Sequence, residues 1–356
     1  MANKTYIKAI NEAIDLCMKK NRSVFIIGEG VPDPKRIFGT TAGLIEKYGP
    51  KRVMDMPLSE NGLTGVCVGA ALNGLRPILT HQRMDFSLLA LDQVINSAAK
   101  WHYMFGNQQS IPLVIKMIIG MGWGQGPQHS QNFQTLYAHI PGLKVVMPVT
   151  PYDAKGLMIS SIEDNNPVIF IEHRWLHNVF GPVPDGIYRV PIGKARIAKK
   201  GQDITIVSVS YMIVEALKAA DLLEKIGLTA EIIDVRTVKP LDEKTIFSSL
   251  KKTQRLLVAD LDHKDYGFAA EIIARATENK SLNLLTAPCR ITLPDIPTPT
   301  TPALTEYYYP RYTDIARKAT ELAGGNIKLL NKLIKKEQNL NKWLHDVPDE
   351  NFTGPF

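Results

Sequence analysis

Residues 57–72, PLSENGLTGVCVGAAL, place one acidic side chain at the start of a run of small and apolar residues. Ser59 or Asn61 can cap a helix at this point, which puts Glu60 in the first helical turn. The helix macrodipole favours an ionised carboxylate there, whereas burial opposes it. Glu60 is therefore a candidate for acid–base chemistry, and the alternative is a solvated glutamate without a chemical role.

The same segment carries a regular pattern of glycines. Gly62, Gly65 and Gly69 recur at spacings of three and four, so they share one face of the helix. Each glycine costs about 1 kcal/mol in helix propensity relative to alanine. The pattern predicts a helix face that another backbone approaches closely.

A second candidate is the stretch GMGWGQGPQHSQNF, residues 120–133, which follows an apolar run. A dinucleotide-binding GxGxxG motif requires a helix directly after its glycines, whereas a proline follows them here. The stretch is interpreted as a loop of small residues that brings His129 to a site, with an ordinary surface loop as the alternative.

The remaining candidate residues match no catalytic motif. His139, His173 and His177 lack the HxxxH or HExxH spacing of a zinc site. Asp234 and Asp260 are predicted to end strands and are interpreted as turn-forming residues. The absence of GxSxG and P-loop motifs argues against a serine hydrolase and a nucleoside triphosphatase.

The composition, 45% hydrophobic and 22% charged among 356 residues, is typical of a soluble globular protein. No apolar run reaches the roughly 20 residues that span a bilayer, and the first residues lack the apolar core of a signal peptide. A cytoplasmic location is expected, or the mitochondrial matrix for a processed eukaryotic chain.

Cys17, Cys67 and Cys289 form no CxxC, so neither a disulfide framework nor a metal cage is expected.

Charge argues against one further class of partner. The net charge of +7 is spread along the chain except near the C-terminus. Basic and aromatic residues are not interleaved, so nucleic-acid binding is not expected.

Strand-like apolar runs alternate with helix-period segments, which predicts an α/β protein with two parallel-sheet domains. We predict a first domain over residues 1–185, a linker rich in Gly and Pro over 186–200, and a second domain over 201–325. The stretch DIPTPTTPALTEYYYP is predicted to be extended.

A basic helical tail is predicted over residues 326–356. Its apolar residues fall on one helix face, which predicts packing on its own chain or on a partner. These residues are Leu330, Leu333, Ile334, Leu340 and Leu344.

Ten stretches between residues 4 and 318 together resemble the β subunit of the thiamine-diphosphate-dependent decarboxylating component of 2-oxoacid dehydrogenase complexes, as in pyruvate dehydrogenase. They are AINEAID, FIIGEGV, SENGLTGVCVGAALNGLRPI, DFSLLALDQVINSAAK, GPQHSQ, HIPGLKVVMPVTPYDAKGL, EDNNPVIFIEH, VPIGKARI, EIIDVRTVKPLD and LPDIPTP. The resemblance implies a transketolase-like pyrimidine-binding domain followed by a transketolase-like C-terminal domain.

The resemblance also implies roles for six residues. Glu60 would bond the aminopyrimidine ring of thiamine diphosphate and activate it, and Phe86 would stack on that ring. Leu58 and Gln82 would line the same pocket. Glu29 matches an acidic residue of a proton path between two cofactors, and His129 matches a histidine that orients the substrate and assists acyl transfer.

A structural potassium ion is implied at the stretch SSIEDNNP. Its ligands would be mainly backbone oxygens, and an ordinary helix end without an ion is the alternative. The matching residues are Leu113, Ser161, Ile162, Asp164 and Asn166.

One half of the cofactor site is missing from the chain. Magnesium and the diphosphate are held in this family by a GDG motif, and no GDG occurs here. In two-chain relatives the α subunit carries that motif. The resemblance therefore implies an α2β2 heterotetramer that is active only with the α subunit, and a further partner, the acyltransferase core with its lipoyl domain.

Two features depart from the family pattern. The stretch THQRMDF puts Thr80 and Arg83 at altered positions, and Arg83 either adds positive charge close to the pocket or turns outward. The chain beyond about Gly325 exceeds the usual family end, where an added basic helix could modify docking of the acyltransferase.

These observations predict a β subunit that decarboxylates a 2-oxoacid, with pyruvate first, and transfers the acyl group to a lipoyl domain. The alternatives are a branched-chain 2-oxoacid or acetoin dehydrogenase, a specialised thiamine enzyme with a non-lipoyl acceptor, and a noncatalytic scaffold paralogue.

Overall fold

The computed structural model describes residues 1–340 and 345–348, with the side chains of residues 339 and 340 left out. Contacts divide the chain into two units. The first consists of Met1–Gly120 and Leu136–Ile192, and the second consists of Met121–Thr135 and Gly193–Pro355. Residues 121–135 thus belong to the second unit, which differs from the sequence prediction that placed them in the first domain.

The first unit has strands and helices in alternation. Its strands are β1 (Ala2–Thr5), β2 (Val24–Gly28), β3 (Val53–Met54), β4 (Arg76–His81), β5 (Val114–Ile119), β6 (Lys144–Val146), β7 (Val168–His173) and β8 (Phe180–Val183). Its helices are α1 (Tyr6–Lys20), α2 (Leu44–Tyr48), α3 (Glu60–Leu72), α4 (Trp101–Met104), α5 (Gln134–His139), whose first two residues belong to the second unit, and α6 (Pro151–Glu163). Met84–Ala90 and Arg174–Leu176 form 3-10 helices, and Gln93–Ala98 forms a π-helix.

Six strands of the first unit pair in parallel in the order β6-β7-β5-β4-β2-β3. The central strands β2, β5 and β7 are buried along their whole length, as expected for parallel strands covered on both faces. Strand β1 pairs antiparallel with β8. Helices α1 and α6 pack together, and both begin at a threonine whose hydroxyl accepts a backbone N–H.

The second unit contains the remaining elements. They are β9 (Arg196–Lys199), β10 (Ile204–Ser208), α7 (Met212–Glu224), β11 (Ala230–Asp234), β12 (Thr237–Lys239), α8 (Glu243–Thr253), β13 (Leu256–His263), α9 (Phe268–Glu278), β14 (Cys289–Leu293), α10 (Pro302–Tyr308), α11 (Tyr312–Ala323) and α12 (Ile327–Leu340).

Five of these strands form a sheet in the order β14-β13-β10-β11-β9, with β9 antiparallel to β11 and the other pairs parallel. Both units are therefore α/β folds built on parallel sheets, as predicted. Strand β9 lies in the segment 186–200, where no strand was predicted; its Arg and Lys residues are typical of a sheet edge.

The structure tests two predictions about the end of the chain, the extended stretch and the helical tail. The stretch predicted to be extended contains α10, because Pro302 takes the first helical position, where its missing N–H costs nothing. Helix α12 packs on α7 and α11, with Leu330 and Ile334 buried and Leu333 half-buried. The Leu340 side chain and Leu344 lie outside the described residues.

The three cysteines are free thiols. Burial raises the pKa of Cys17 on α1 and of Cys67 on α3 to about 12. Cys289 begins β14 and is half-buried. Within residues 1–340 and 345–348, no helix has both the length and the apolarity to cross a bilayer.

Candidate functional site

The carboxyl ends of β2 and β4 bring two predicted site residues together. Glu29 directly follows β2, and Gln82 directly follows β4, its parallel neighbour. Gln82 Nε2 donates a hydrogen bond to the main-chain oxygen of Glu29 at 3.0 Å. This edge of a parallel sheet is where α/β proteins bind ligands.

Glu60 is the first residue of α3, as predicted, and its side chain is buried, with 6% of the residue exposed. Ser59 stands at the N-cap position, although no side-chain capping bond forms. The Glu60 carboxylate lies close enough to Glu29 to act on it electrostatically. The structure thus brings Glu29, Glu60 and Gln82 into one cluster at this sheet edge.

Asp55 joins this cluster, and the sequence reasoning missed it. Asp55 Oδ1 accepts the backbone N–H groups of Gly30 and Met56, both at 2.9 Å. Burial raises the pKa of Glu29, and the negative charges of Glu60 and Asp55 raise it further. Its position between β3 and the PLSEN stretch was the available signal, because β3 also ends at this sheet edge.

Leu58 and Phe86 flank the cluster along the chain. Leu58 is 84% exposed, an unusual state for a leucine two residues before a buried glutamate. Phe86 is half-buried and lies in the 3-10 helix Met84–Ala90, which packs against α3. Their predicted roles in lining and stacking stay predictions.

The glycine face of α3 is only partly packed within the chain. A Cβ atom at Gly65 would lie 3.3 Å from Gln93 Oε1, so the π-helix Gln93–Ala98 approaches closely there. A Cβ at Gly69 would meet no described atom within 4 Å. The atom that Gly65 meets belongs to a side chain and Gly69 faces open space, so the predicted approach of another backbone is not seen at these two glycines.

Arg83 is buried in the first unit, so it does not turn outward, whereas its predicted charge at the pocket stays a prediction. The residue is 2% exposed, and its guanidinium carbon lies 5.6 Å from the centroid of the Phe38 ring. The Arg174 guanidinium lies 4.9 Å from the same centroid. Burial lowers the pKa of Arg83 to about 10. Thr80 is also fully buried.

A buried ionic group on β5 and β7 was not anticipated. Lys116 Nζ lies 2.6 Å from Glu172 Oε1, and His177 Nε2 lies 3.0 Å from Glu172 Oε2. Burial opposes ionisation of Glu172, but Lys116 and His177 outweigh it and hold the pKa of Glu172 below its ordinary value. The signal in the sequence was a lysine and a glutamate inside the apolar runs VIKMII and VIFIEH.

Residues 121–133, which we call the histidine loop, belong to the second unit. Gly122, Trp123, Gly124 and Gly126 all have positive φ. A non-glycine residue in the left-handed region costs about 1–2 kcal/mol, so Trp123 requires support from its surroundings. His129 is half-buried near the end of this loop. Its predicted participation in one site with Glu60 stays a prediction.

Two carboxylates of β13 hold the two residues that directly follow the loop. Gln134 Nε2 donates to Asp260 Oδ1 at 3.1 Å, and the Thr135 hydroxyl donates to Asp262. Burial and then the charge of Asp262 raise the pKa of Asp260. The interpretation of Asp260 as a turn-forming residue was wrong, because it lies inside β13 and is fully buried. Asp234 does end β11, but it is buried in an ion pair with Arg196 at 3.0 Å.

A cavity of about 270 Å³ adjoins the histidine loop within the second unit. Its wall includes His263, whose Nδ1 lies 2.9 Å from the Pro294 main-chain oxygen. The remaining lining residues are Pro127, Gln131 and residues 295–298.

The predicted potassium ligands lie around the C-terminal end of α6. Arg76 Nη1 donates to the main-chain oxygens of Ile162 and Asp164, at 2.9 and 3.0 Å. The Leu113 oxygen accepts from Val168 N–H at 2.9 Å. A carbonyl oxygen has two lone pairs, so each of these oxygens keeps one for a further partner.

The side chains of the other predicted ligands have hydrogen bonds within this segment, and Asp164 also pairs with Lys144. Ser161 Oγ donates to the Leu157 oxygen, and Asp164 Oδ1 accepts from the N–H and the Nδ2 of Asn166. In the described part of the chain, no group of three or more His, Cys, Asp or Glu side chains could hold a metal ion.

Comparison with known families matches both units. The pyrimidine-binding domain of transketolase matches residues 2–178, and the C-terminal domain of transketolase matches residues 193–315. A solved structure described as a split-gene transketolase, inactive β4 tetramer, superposes with a TM-score of 0.74 over 90% of this chain and 98% of that chain. Its sequence identity is 21%, so it supports the fold alone.

Individual relatives are closer in sequence. The acetoin:2,6-dichlorophenolindophenol oxidoreductase subunit beta of Bacillus subtilis is 41% identical, covering 89% of this chain and 96% of the relative. The mitochondrial pyruvate dehydrogenase E1 component subunit beta of Bos taurus is 42% identical, covering 87% and 88%. Subunit beta-2 of Oryza sativa is 42% identical, covering 88% and 85%. The chain therefore belongs to the transketolase-like family of E1 β subunits of thiamine-diphosphate-dependent 2-oxoacid dehydrogenases, together with the acetoin oxidoreductase β subunits.

Proposed function

We propose that the chain combines with an α subunit, as an α2β2 heterotetramer, to decarboxylate a 2-oxoacid and transfer the acyl group to a lipoyl domain on an acyltransferase core. Pyruvate is the proposed substrate. The observation that carries this proposal is the cluster of Glu29, Glu60 and Gln82 at the carboxyl edge of the sheet, in a family whose first domain binds a pyrimidine.

The cluster fits the aminopyrimidine end of thiamine diphosphate. Glu29 Oε1 is buried and has no hydrogen-bond partner in the described part of the chain. A buried carboxylate oxygen requires a donor or a proton, and the aminopyrimidine group supplies N–H donors. Glu60 and Glu29 would hold this ring, with Phe86, Leu58 and Gln82 around it. When bound, the cofactor supplies a thiazolium carbon nucleophile for attack on the 2-oxo carbonyl.

The chain's own contribution is control of protons at that ring. Glu60 would keep a proton at the pyrimidine, because the N-terminus of α3 stabilises its negative charge and its burial excludes water. Burial and the neighbouring carboxylates raise the pKa of Glu29, which is the direction that favours its protonated form, as a residue of a proton path requires. His129 would orient the substrate and assist acyl transfer. Magnesium and the diphosphate would be held by the α subunit.

We also propose a structural potassium ion at the C-terminal end of α6. The main-chain oxygens of this helix end carry partial negative charge, and Leu113, Ile162 and Asp164 each keep one lone pair. Arg76 already supplies a positive charge to two of these oxygens, which limits the stabilisation that the ion can add.

We propose a cytoplasmic location, or the mitochondrial matrix for a processed eukaryotic chain, since the Bos and Oryza relatives are mitochondrial.

Oxidative cleavage of acetoin is the second candidate function. It is favoured by the identity of 41% to the acetoin oxidoreductase β subunits of Bacillus subtilis and Cupriavidus necator. Arg83 is buried beside Phe38, and this departure from the family pattern does not separate the two substrates.

Co-expression with a candidate α subunit tests both functions. Thiamine diphosphate is titrated, and turnover of pyruvate, branched-chain 2-oxoacids and acetoin is followed with an artificial electron acceptor. We expect activity from the two chains together, and a loss of about 10²–10⁴-fold in Glu60→Gln. Glu278→Gln, at an exposed position, is the matched control.

Three results would contradict the assignment. Full turnover by Glu60→Gln would remove its proposed role. Absence of activity with every substrate, in a complex that assembles, would favour the noncatalytic scaffold. Turnover without acyl transfer to an added lipoyl domain would favour the specialised enzyme with another acceptor.

A further inference from the structure

The C-terminal segment, residues 345–348, packs on the start of the histidine loop within the second unit. Asp346 Oδ2 accepts the backbone N–H of Trp123 at 3.1 Å. Asp346 is 1% exposed and Val347 is 4% exposed, so the segment is buried. Asp346 therefore has a buried carboxylate that contacts the loop.

The loop backbone is shaped around Asp346. Gly122 has φ +65°, and a Cβ atom built on it would lie 2.0 Å from the main-chain oxygen of Asp346. Only glycine fits at this point. Trp123 and Gly124 follow in the same left-handed region, with φ of 56° and 71°. The acceptor at Asp346 thus supports the one non-glycine residue of this run.

The C-terminal segment is itself anchored at the residues before α11. His345 Nε2 lies 2.7 Å from the main-chain oxygen of Tyr309, and Arg311 donates to the oxygens of His345 and Val347. Arg311 also forms an ion pair with buried Glu215 at 3.2 Å. The Tyr309 hydroxyl accepts Gly122 N–H at 3.0 Å, so loop and segment share one support.

This contact lies outside the region that the chain shares with the family model. The C-terminal domain match ends at residue 315, and α12 and the C-terminal segment come after it. The tail does not only pack its helix on α7 and α11. It also returns to the loop that carries His129.

We propose that Asp346 is a positioning residue for His129: by fixing residues 122–124, it holds the histidine loop in the conformation that presents His129 to the substrate. This inference rests on the proposed role of His129. Asp346 acts through the loop backbone and does not contact the reacting atoms. The C-terminal segment is thus a part of the loop's structure and not an obstruction to it.

The first test measures the loop directly and does not depend on activity. Hydrogen–deuterium exchange at the Trp123 amide is compared by mass spectrometry in the assembled α/β complex. Asp346→Ala removes the acceptor, so the Trp123 amide is expected to exchange about tenfold faster or more. Asp346→Asn keeps an oxygen acceptor and is expected to stay close to the parent chain. Asp265→Ala, at an exposed aspartate of the same unit, is the control.

Gly122→Ala perturbs the same contact from the loop side. The added methyl group collides with the Asp346 oxygen, so we expect faster exchange at Trp123. The sequence of the C-terminal segment is unaltered in this variant. This variant decides the question if Asp346→Ala does not fold. Unchanged exchange in both variants would overturn the proposal.

The second test asks whether Asp346 acts through His129. We expect Asp346→Ala to lower kcat about tenfold, with the affinity for thiamine diphosphate unchanged, because a displaced loop misplaces the imidazole. In a His129→Ala background the same change should add no further loss. Losses that multiply, or a rise in kcat, would overturn the positioning role. If the wild-type complex turns over no 2-oxoacid, the proposed function fails, whereas the exchange result still decides whether Asp346 holds the loop.

Discussion

Gln82 Nε2 donates to the main-chain oxygen of Glu29 at 3.0 Å, which ties the ends of two neighbouring parallel strands together at the candidate site. The same amide lies 2.7 Å from the position that a Cβ on Gly30 would occupy. Glu29 is therefore fixed through its backbone, while its carboxylate remains available to a ligand.

Replacing Gln82 with leucine should weaken cofactor binding. The variant loses a hydrogen bond worth about 0.5–1.5 kcal/mol, which corresponds to a roughly two- to twelve-fold rise in the Kd for thiamine diphosphate. Calorimetric titration of the α/β complex measures this change. Gln108→Leu, at an exposed glutamine, is the control, and an unaltered Kd for Gln82→Leu would show that Glu29 is held by other contacts.

Breaking the buried ion pair of the first unit should be costly. Lys116→Met leaves the Glu172 carboxylate buried with only His177 as a close partner, and we expect a loss of about 3–5 kcal/mol in the free energy of unfolding. The urea midpoint reports this loss. Lys116→Met combined with Glu172→Gln should recover much of it.

The matched control is a surface pair, Lys318 and Glu321, whose side chains are 38% and 53% exposed. Lys318→Met should change the urea midpoint little, because exposed pairs contribute about 0–1 kcal/mol. Equal effects of Lys116→Met and Lys318→Met would show that burial does not govern the contribution of the Lys116 pair.

The stability of the second unit should fall as pH rises toward 8. Burial raises the pKa of Asp260 from 3.8 to about 8, so between these values the folded state binds a proton that the unfolded chain does not. The stabilisation is present at low pH and is lost as pH rises through the folded pKa, by at most about 1.4 kcal/mol per pH unit.

Asp260→Asn mimics the protonated acid and should flatten this dependence. Hydrogen exchange of β13 amides between pH 5.5 and 8.5, corrected for intrinsic rates, measures it. Asp265→Asn is the exposed control. If the protection of β13 in the parent chain rises with pH over this range, the pH dependence has the opposite sign and the prediction is wrong.

Potassium should stabilise the first unit modestly and selectively. We expect a higher melting temperature in KCl than in NaCl or choline chloride at equal ionic strength, since K⁺ is larger than Na⁺ and, unlike choline, can be coordinated by the backbone oxygens around α6. Leu113, Ile162 and Asp164 already have one hydrogen bond each, so the gain should be small. Identical melting temperatures in the three salts would contradict the proposed potassium site. The positive charge at this helix end would then come from Arg76.

The sequence was most informative where one residue decides a local structure. The capping residues predicted that Glu60 lies in the first turn of a helix, and α3 begins at that residue. Apolar runs predicted the buried strands because parallel strands are apolar throughout. Lys116 and Glu172 interrupt such runs, yet their pairing depends on two strands that are adjacent only in the folded sheet.

Contacts distant in sequence were not predictable from local pattern. Asp260 looks like a strand end, and its long-range hydrogen bond from Gln134 depends on a contact between residues that are distant in sequence. Trp123 and Asp346 are more than 200 residues apart, so no periodicity connects them. The orientation of Arg83 likewise depends on Phe38, whose position the local sequence does not specify.

The difference among the three cysteines has a practical consequence. Cys17 and Cys67 are buried and remain protonated at neutral pH, so maleimide reagents should react with neither in the folded chain. Cys289 alone is partly accessible. The unmodified polypeptide thus offers a single attachment point for a fluorophore on β14, from which assembly with other subunits can be followed by energy transfer.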